Sequence, residues 1–233
     1  MIVALLALAA VPTGCDRQES SSQEPAAAAE TPDRPATQGP AAVSGKPPAQ
    51  TDAEPQPSEQ GPTMLDLPKS EGKDTRLLQS KVRGLSAFDL VMRIHDGILS
   101  APSSGDDKAD FCRLTRGQRI VLVVEGLEGE VNNGGFAQYF LNSSGDLAPE
   151  AVAALREIGM GHFADILAEA MALFPNRTPP RDQAQRETAL AKVDESRLNA
   201  LDERFFNAYR KEEEITAALE QYINTHAADF FRD

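Results

Sequence analysis

The sequence contains few of the side chains that hold metals or act as nucleophiles. Among 233 residues there are two cysteines, three histidines and no tryptophan. Cys15 and Cys112 stand far apart without a Cys-x-x-Cys spacing, and the histidines form no His-Glu-x-x-His pattern. Neither a phosphate-binding loop nor the Gly-x-Ser-x-Gly elbow of serine hydrolases is present. The sequence therefore predicts no metal site, no cofactor and no enzymatic activity.

Positive charge is also scarce. Lys and Arg number 23 against 36 Asp and Glu, so the formal net charge is −13. Residues 84–233 alone hold 25 acidic and 15 basic residues, a net charge of −10. Direct binding to nucleic acid needs a basic face, which this balance excludes. An acidic surface permits a basic protein partner, or serves solubility alone.

Apolar runs are too short for a permanent membrane-spanning helix, which needs about 20 residues. The chain opens with one such short run, MIVALLALAAVPTGC, which has the length of a signal-peptide core. Gly14 followed by Cys15 resembles the cleavage site of bacterial lipoproteins, in which the cysteine becomes acylated. Residues 1–15 are therefore predicted to be a lipoprotein-like signal peptide, with a buried helix as the alternative. Lipidation of Cys15 predicts an anchor in the bacterial cell envelope, and Asp16 resembles the signal that favours the periplasmic face of the inner membrane.

The next segment, residues 16–76, is rich in Pro, Ala and Gln and has almost no large apolar side chain. Such a composition cannot bury enough surface to offset the entropy lost on ordering, which predicts a disordered linker. A linker directly after a lipidated cysteine would hold a folded domain away from the membrane.

Residues 84–233 carry apolar side chains at helical spacing throughout. In the first helix Phe88, Val91, Ile94 and Leu99 are expected to share the buried face. Capping residues mark several helix starts, as in the capping box formed by Thr115 with the glutamine three residues later. No strand alternation of comparable strength occurs. The sequence predicts an all-α fold, a single multi-helix domain of about seven helices.

One stretch, EGEVNNGGFAQYFLNSSGD from Glu128 to Asp146, interrupts this pattern with asparagines and glycines. These residues accept left-handed backbone at low cost, so the preceding helix is expected to end near Val131 and turn. A short aromatic helix then follows, with Phe136 and Phe140 in the core. The candidate site residues of this corner are Glu128, Glu130, Asn132, Asn133, Gly134, Gly135, Phe136, Gln138, Tyr139 and Asn142.

Two interpretations of the corner remain open. In the structural one, the carboxamides of Asn133, Gln138 and Asn142 satisfy exposed backbone ends near the turn. In the functional one, Glu128 or Glu130 supplies charge to a polar pocket, and the glycines let a ligand approach the backbone.

The string EVNNGGFAQYFLN, with Ser144 and Gly145 after it, resembles the signature of a bacterial all-α family that includes a DNA-mimic protein. Weaker likeness continues through Phe174-Pro175, the acidic Leu201-Asp202 region and the helix of Tyr222, so the resemblance covers roughly residues 84–233. In the DNA mimic, surface carboxylates stand in for phosphates and occupy the DNA-binding face of a repressor. The resemblance carries no partner-contact residues onto this chain.

The predicted function is therefore a membrane-tethered acidic helical module that binds an as yet unidentified protein. The alternative is a DNA mimic that occupies the DNA-binding face of a regulator. A carboxylate-dependent hydrolase is the third hypothesis, with the candidate acid–base groups Glu125, Glu128, Glu130 and His162. Cys112 is expected to be a buried or half-buried free thiol, and a homodimer linked through it stays open.

Overall fold

A computed structural model of the protein describes residues 63–211 and 214–233. The predicted signal peptide, Cys15 and residues 16–62 of the predicted linker lie outside the described residues. Within the described ranges, no helix combines the length and the apolar character needed to cross a membrane.

Nine α-helices and almost no sheet make up the described part of the chain, which confirms the all-α prediction. The two additional helices are α2, in a stretch that the sequence suggests is a loop, and the short α9. Two-residue strands, β1 (Leu77–Leu78) and β2 (Phe231–Arg232), pair in parallel. The helices are α1 (Ala87–Leu99), α2 (Asp107–Arg113), α3 (Arg116–Leu141), α4 (Ala148–Glu157), α5 (Gly161–Met171), α6 (Gln183–Leu190), α7 (Glu195–Lys211), α8 (Glu214–Thr225) and α9 (Ala227–Phe230).

Helix α3 is the centre of the bundle and contacts α1, α4, α6, α7, α8 and α9. Its first turns are apolar on nearly every side, and Ile120, Val121 and Val124 are fully buried. A helix that is hydrophobic all round belongs inside a bundle rather than on its surface. The predicted capping box is present: the Thr115 hydroxyl accepts from the backbone N–H of Gln118, and the Gln118 side chain accepts in return from the backbone N–H of Thr115.

The buried face of α1 differs from the expected one. Leu90, Val91, Ile94 and Ile98 form it, whereas Phe88 is 61% exposed. Helix α1 packs between α3 and α8. These two neighbours fix which arc of the helix is covered, and the apolar spacing alone leaves that arc uncertain by about one residue position.

Residues 63–78 form a strap that packs on the bundle, although the composition of 63–76 places them in the linker. Leu65 in the strap is 1% exposed. The guanidinium of Arg119, itself 1% exposed, donates to five main-chain carbonyl oxygens. Three of these belong to the strap (residues 64, 65 and 67) and two to the end of α2 (residues 111 and 112). The buried guanidinium therefore fastens the strap to the bundle. The ordered part of the chain accordingly begins before residue 84, where the sequence predicts the domain to start.

Candidate functional site at the kink of helix α3

The Asn-Asn-Gly-Gly sequence bends α3 without ending it. The chain stays helical from Arg116 to Leu141 except at Gly134 (φ −158°, ψ 27°) and Gly135 (φ +70°, ψ −173°). The expected helix end near Val131 is therefore wrong by a few residues: the break falls at the glycines, and the helix resumes at Phe136. The backbone at Gly135 occupies a region that is essentially restricted to glycine, which explains why this residue type stands at the kink.

Asp202 of α7 fills the space that the kink opens. A side chain at Gly135 would place its Cβ 2.4 Å from Oδ2 of Asp202. The other carboxylate oxygen, Oδ1, accepts a hydrogen bond of 2.7 Å from the backbone N–H of Phe136. Asp202 therefore caps the N-terminus of the resumed helix, as an N-cap residue does, but from another helix. Burial raises the pKa of the Asp202 carboxyl, and the N–H bond from Phe136 opposes that shift.

The inner side of the resumed helix is aromatic. Phe136 and Phe140 are fully buried, which confirms the prediction that both lie in the core. Phe136 meets the ring of Phe205 edge-on with centroids 5.7 Å apart, and Phe140 meets Phe174 at 4.8 Å. Phe163 completes the group through Phe205 at 4.9 Å. Edge-to-face pairs of this kind stabilise beyond their buried area, so the kink is held from below by α5, α7 and the turn after α5.

The outer side of the kink is bridged by Glu130. One oxygen of its carboxylate accepts from the side-chain amides of Gln138 at 2.6 Å and Asn142 at 2.8 Å. These carboxamides therefore serve the carboxylate and not the backbone ends that the structural interpretation assigned to them. Asn132 and Asn133 are exposed. The polar residues of the signature thus divide into a bridge across the kink and a small solvent-facing surface.

Arg186 of α6 closes the C-terminal end of the same helix. Its side chain is fully buried; Nε donates to the carbonyl oxygen of Phe140 at 2.7 Å, and a terminal nitrogen donates to that of Asn142 at 2.8 Å. Asp146 is the counter-ion, 2.6 Å away. Burial raises the pKa of the Asp146 carboxyl while Arg186 lowers it. Burial also raises the pKa of Tyr139, whose hydroxyl is buried in this region. A cation at the carbonyl end of a helix and an anion at its amide end both match the helix dipole.

Two further carboxyls of α3 lie together where the helix passes α7. The hydroxyl of Tyr209 donates to Oε1 of Glu128 at 2.8 Å, and Oε2 of Glu128 is buried with no hydrogen-bond partner among the described residues. Burial, with the neighbouring Glu128 second, raises the pKa of Glu125 to about 8. Burial likewise raises the pKa of Glu128, against the effect of Tyr209. Both carboxyls are consequently biased towards the neutral form.

The other candidate groups do not join this pair. His162 lies exposed in the first turn of α5, and Glu130 is engaged by Gln138 and Asn142. Cys112 is a half-buried free thiol, as expected. In the described part of the chain, no group of three or more His, Cys, Asp or Glu is placed to hold a metal ion. The candidate site is therefore a rigid, acidic and polar corner at the kink of α3.

Sequence reasoning did not single out the two residues that fix this corner. Arg186 lies 46 residues after the carbonyl of Phe140, and Asp202 lies 66 residues after the amide of Phe136. A signal existed only for Asp202, which falls in the acidic region included in the family resemblance. Arg186 stands in a short polar helix that gives no sign of its burial.

The fold defines an acidic all-helical domain built around a kinked central helix, in which the segment after the kink is capped at both ends from neighbouring helices. Residues 112–226 match the family model described as DMP19-like protein, so this part of the domain is similar to the DMP19-like family. The match confirms the resemblance to the DNA-mimic family, which is not a known enzyme family. Comparisons with curated proteins and with solved structures give no match.

Replacing Gly135 tests the kink. Gly135→Ala should lower the free energy of unfolding by about 3 kcal/mol or more, because the backbone is strained for alanine and the Asp202 cap is displaced. Urea denaturation measures the loss. Gly129→Ala in the same helix is the matched control: nothing lies within 4 Å of an added Cβ there, and alanine should stabilise by about 0.5–1 kcal/mol. Equal effects of the two substitutions would contradict the assignment.

Glu125 predicts a pH dependence of stability. Its native pKa of about 8 lies above the ordinary 4.5, so the folded state keeps a proton that the unfolded chain releases. The contribution of this group is complete below pH 4.5 and is lost as the pH rises through 8. Glu125→Gln should therefore match the wild type near pH 4.5 and be more stable by roughly 1–3 kcal/mol at pH 8.5. Urea denaturation at each pH gives the free energy of unfolding of each variant. The control Glu187→Gln, at an exposed position, should give a curve against pH that is parallel to that of the wild type. A parallel curve for Glu125→Gln as well would refute the assignment.

Proposed function

We propose that the helical domain is a protein-binding module that presents carboxylates to a basic surface of a partner, in the manner of a DNA mimic. Two observations support this function. The match to the DMP19-like family fits a DNA mimic, and exposed carboxylates follow one another along the sequence of α6 and α7, a set that we name the acidic edge. The second observation carries the proposal, because it identifies the surface.

Much of the positive charge is paired within the chain, mostly at the surface. Seven arginines of the described residues form ion pairs with carboxylates of the same chain. Arg119 is buried among carbonyl oxygens. An arginine that is paired with a carboxylate repels a basic partner less than an unpaired lysine would, because the pair has little net charge. The ten carboxylates by which acidic residues exceed basic ones in residues 84–233 give the domain its net charge.

The acidic edge consists of five exposed carboxylates in a run of 22 residues. The nearby arginines Arg181 and Arg186 are already paired with Glu150 and Asp146, and Arg204 on the far side of α7 pairs with Glu169 of α5. Lys192 and Arg197 are the exposed cations within the run. The members of the acidic edge are Asp182, Glu187, Asp194, Glu195 and Glu203.

The geometry of α7 gives the acidic edge a direction. Leu198, Leu201 and Phe205 are buried on the inner side of the helix. Glu203 lies nearly opposite this buried side, and Glu195, eight residues earlier and about 12 Å away along the axis, lies on its flank. Asp202, held at the kink of α3, fixes the rotation of α7, so Glu203 beside it is presented outward from a rigid support. Rigid presentation lowers the entropy lost when a partner binds.

Competition with DNA tests this function. Proteins retained by the immobilised full chain at low salt are eluted with double-stranded DNA and identified. Each purified partner should then lose DNA when the full chain is added in a gel-shift assay. The effect should vanish at high salt, because the attraction is between charged surfaces. The double variant Glu195→Gln/Glu203→Gln should compete on the order of tenfold more weakly, since each rim charge contributes up to about 1 kcal/mol.

A charge-matched control separates the acidic edge from net charge. Glu71→Gln/Asp96→Asn removes the same charge from the strap and α1, where both residues are exposed, and should compete as the wild type does. If no retained protein is released by DNA, or if the two double variants behave alike, the proposal fails.

A second proposal concerns location. The apolar run before Gly14-Cys15 and the long polar segment after it support a tethered form of the same module, anchored by lipid at Cys15 in the bacterial cell envelope, with Asp16 favouring the inner membrane. A partner there would be a basic protein surface near the membrane. A single acyl chain anchors only weakly, so a stable tether needs the full lipid of a mature lipoprotein.

Metabolic labelling with a clickable palmitate distinguishes the two locations. In the tethered form, the wild type and Cys112→Ser become labelled and fractionate with membranes, while Cys15→Ser does neither. Cys112→Ser is the matched control, since it removes the other cysteine of the chain. An unlabelled wild type in the soluble fraction would eliminate the tethered form and leave the DNA-mimic form.

A further inference from the structure

A cleft of about 200 Å³ lies between the strap, the end of α1 and the helix α2. Its floor is apolar and is formed mainly by Ile98, Phe111, Leu114 and Leu122, all of them buried. Its rim is polar, with Lys73 from the strap and Arg113 from α2. An apolar floor with few polar groups at the mouth is the usual form of a small-molecule site.

The strap holds Lys73 over this cleft. On one side of the lysine, the backbone N–H of Ser70 donates to the carbonyl oxygen of Cys112 at 2.9 Å. On the other side, the hydroxyl of Thr75 donates to the side-chain oxygen of Gln118 at 2.8 Å. Because both flanks are fastened to the bundle, the fold holds the backbone of Lys73 beside the cleft, which its exposed side chain lines.

The charges at the rim are unequal. Asp110 is saturated by the hydroxyls of Ser103 and Ser104 and by Arg113, which forms an ion pair with it. Lys73 forms no ion pair among the described residues. The rim therefore keeps an uncompensated cation above an apolar floor, on a domain whose net charge is −10. That combination selects a ligand with an apolar body and a single anionic head.

We propose that this cleft binds a small amphiphilic monocarboxylate, with its chain on the apolar floor and its carboxylate at Lys73. The volume of the cleft lies below the roughly 300–1,000 Å³ of sites for drug-sized molecules. It suits one unbranched chain on the order of six to ten carbons. This site is separate from the acidic edge and does not depend on the function proposed for it.

Calorimetric titration of the full chain with octanoate tests the site. Octanoate should bind with one-to-one stoichiometry, and hexanoate on the order of tenfold more weakly, since each buried methylene changes affinity about fourfold. Octanol, which has the chain without the charge, should bind at least fivefold more weakly than octanoate. Octylammonium should show no binding.

Substitutions at the rim and mouth complete the test. Lys73→Gln should reduce the affinity for octanoate to that for octanol, whereas Lys69→Gln, in the same strap but not lining the cleft, should leave it unchanged. Ala101→Leu, which narrows the mouth, should weaken both ligands. No heat from octanoate, equal binding of octanol, or full affinity in Lys73→Gln would each overturn the proposal.

Discussion

The contact between Asp202 and the gap at Gly135 is the constraint on which the other features of the site depend. Without a side chain at Gly135, the carboxylate of α7 can approach the backbone of α3 and accept from the N–H of Phe136. This one contact caps the segment of α3 that resumes after the kink, whose first N–H groups have no partner within the helix. It also fixes the rotation of α7 relative to α3. The aromatic cluster below and the Glu130 bridge above stabilise a bend that this contact has already defined.

Two buried arginines give the domain a shared means of holding irregular backbone. Arg119 collects carbonyls of the strap and of the end of α2, and Arg186 collects carbonyls at the end of α3. A guanidinium has five donors in a fixed fork, so a single side chain can satisfy several carbonyls that lack partners in a helix or sheet. Burying these cations costs solvation, and the carbonyl oxygens, with Asp146 at Arg186, offset that cost. Because these two arginines are buried, they add little positive charge to the surface, where carboxylates are in excess.

The sequence predicts the helical class because the apolar spacing and the capping residues are local signals. Thr115 with Gln118, and the burial of Phe136 and Phe140, are read from positions a few residues apart. The features that it does not predict depend on distant partners. The role of Arg186 requires knowing that α6 packs at the end of α3, and the order of the strap requires knowing that Arg119 lies beneath it. Phe88 belongs to the same group, because the covered arc of α1 is set by α3 and α8 and not by the residues of α1 alone.

Many residues that carry the family resemblance hold the kink, and this separates fold from partner choice. Glu130, Gly135, Phe136, Gln138 and Asn142 bond to one another, to Asp202 or to Arg186, or lie in the core, so a match to this signature indicates the kink and its caps. A partner would meet the neighbouring exposed groups instead. Glu203 follows Asp202 directly in the chain, so the contact that makes the kink also holds the adjacent carboxylate at the surface. A domain built in this way keeps one rigid bend while its exposed charges remain free to suit a particular basic surface, because those charges have no part in holding the bend.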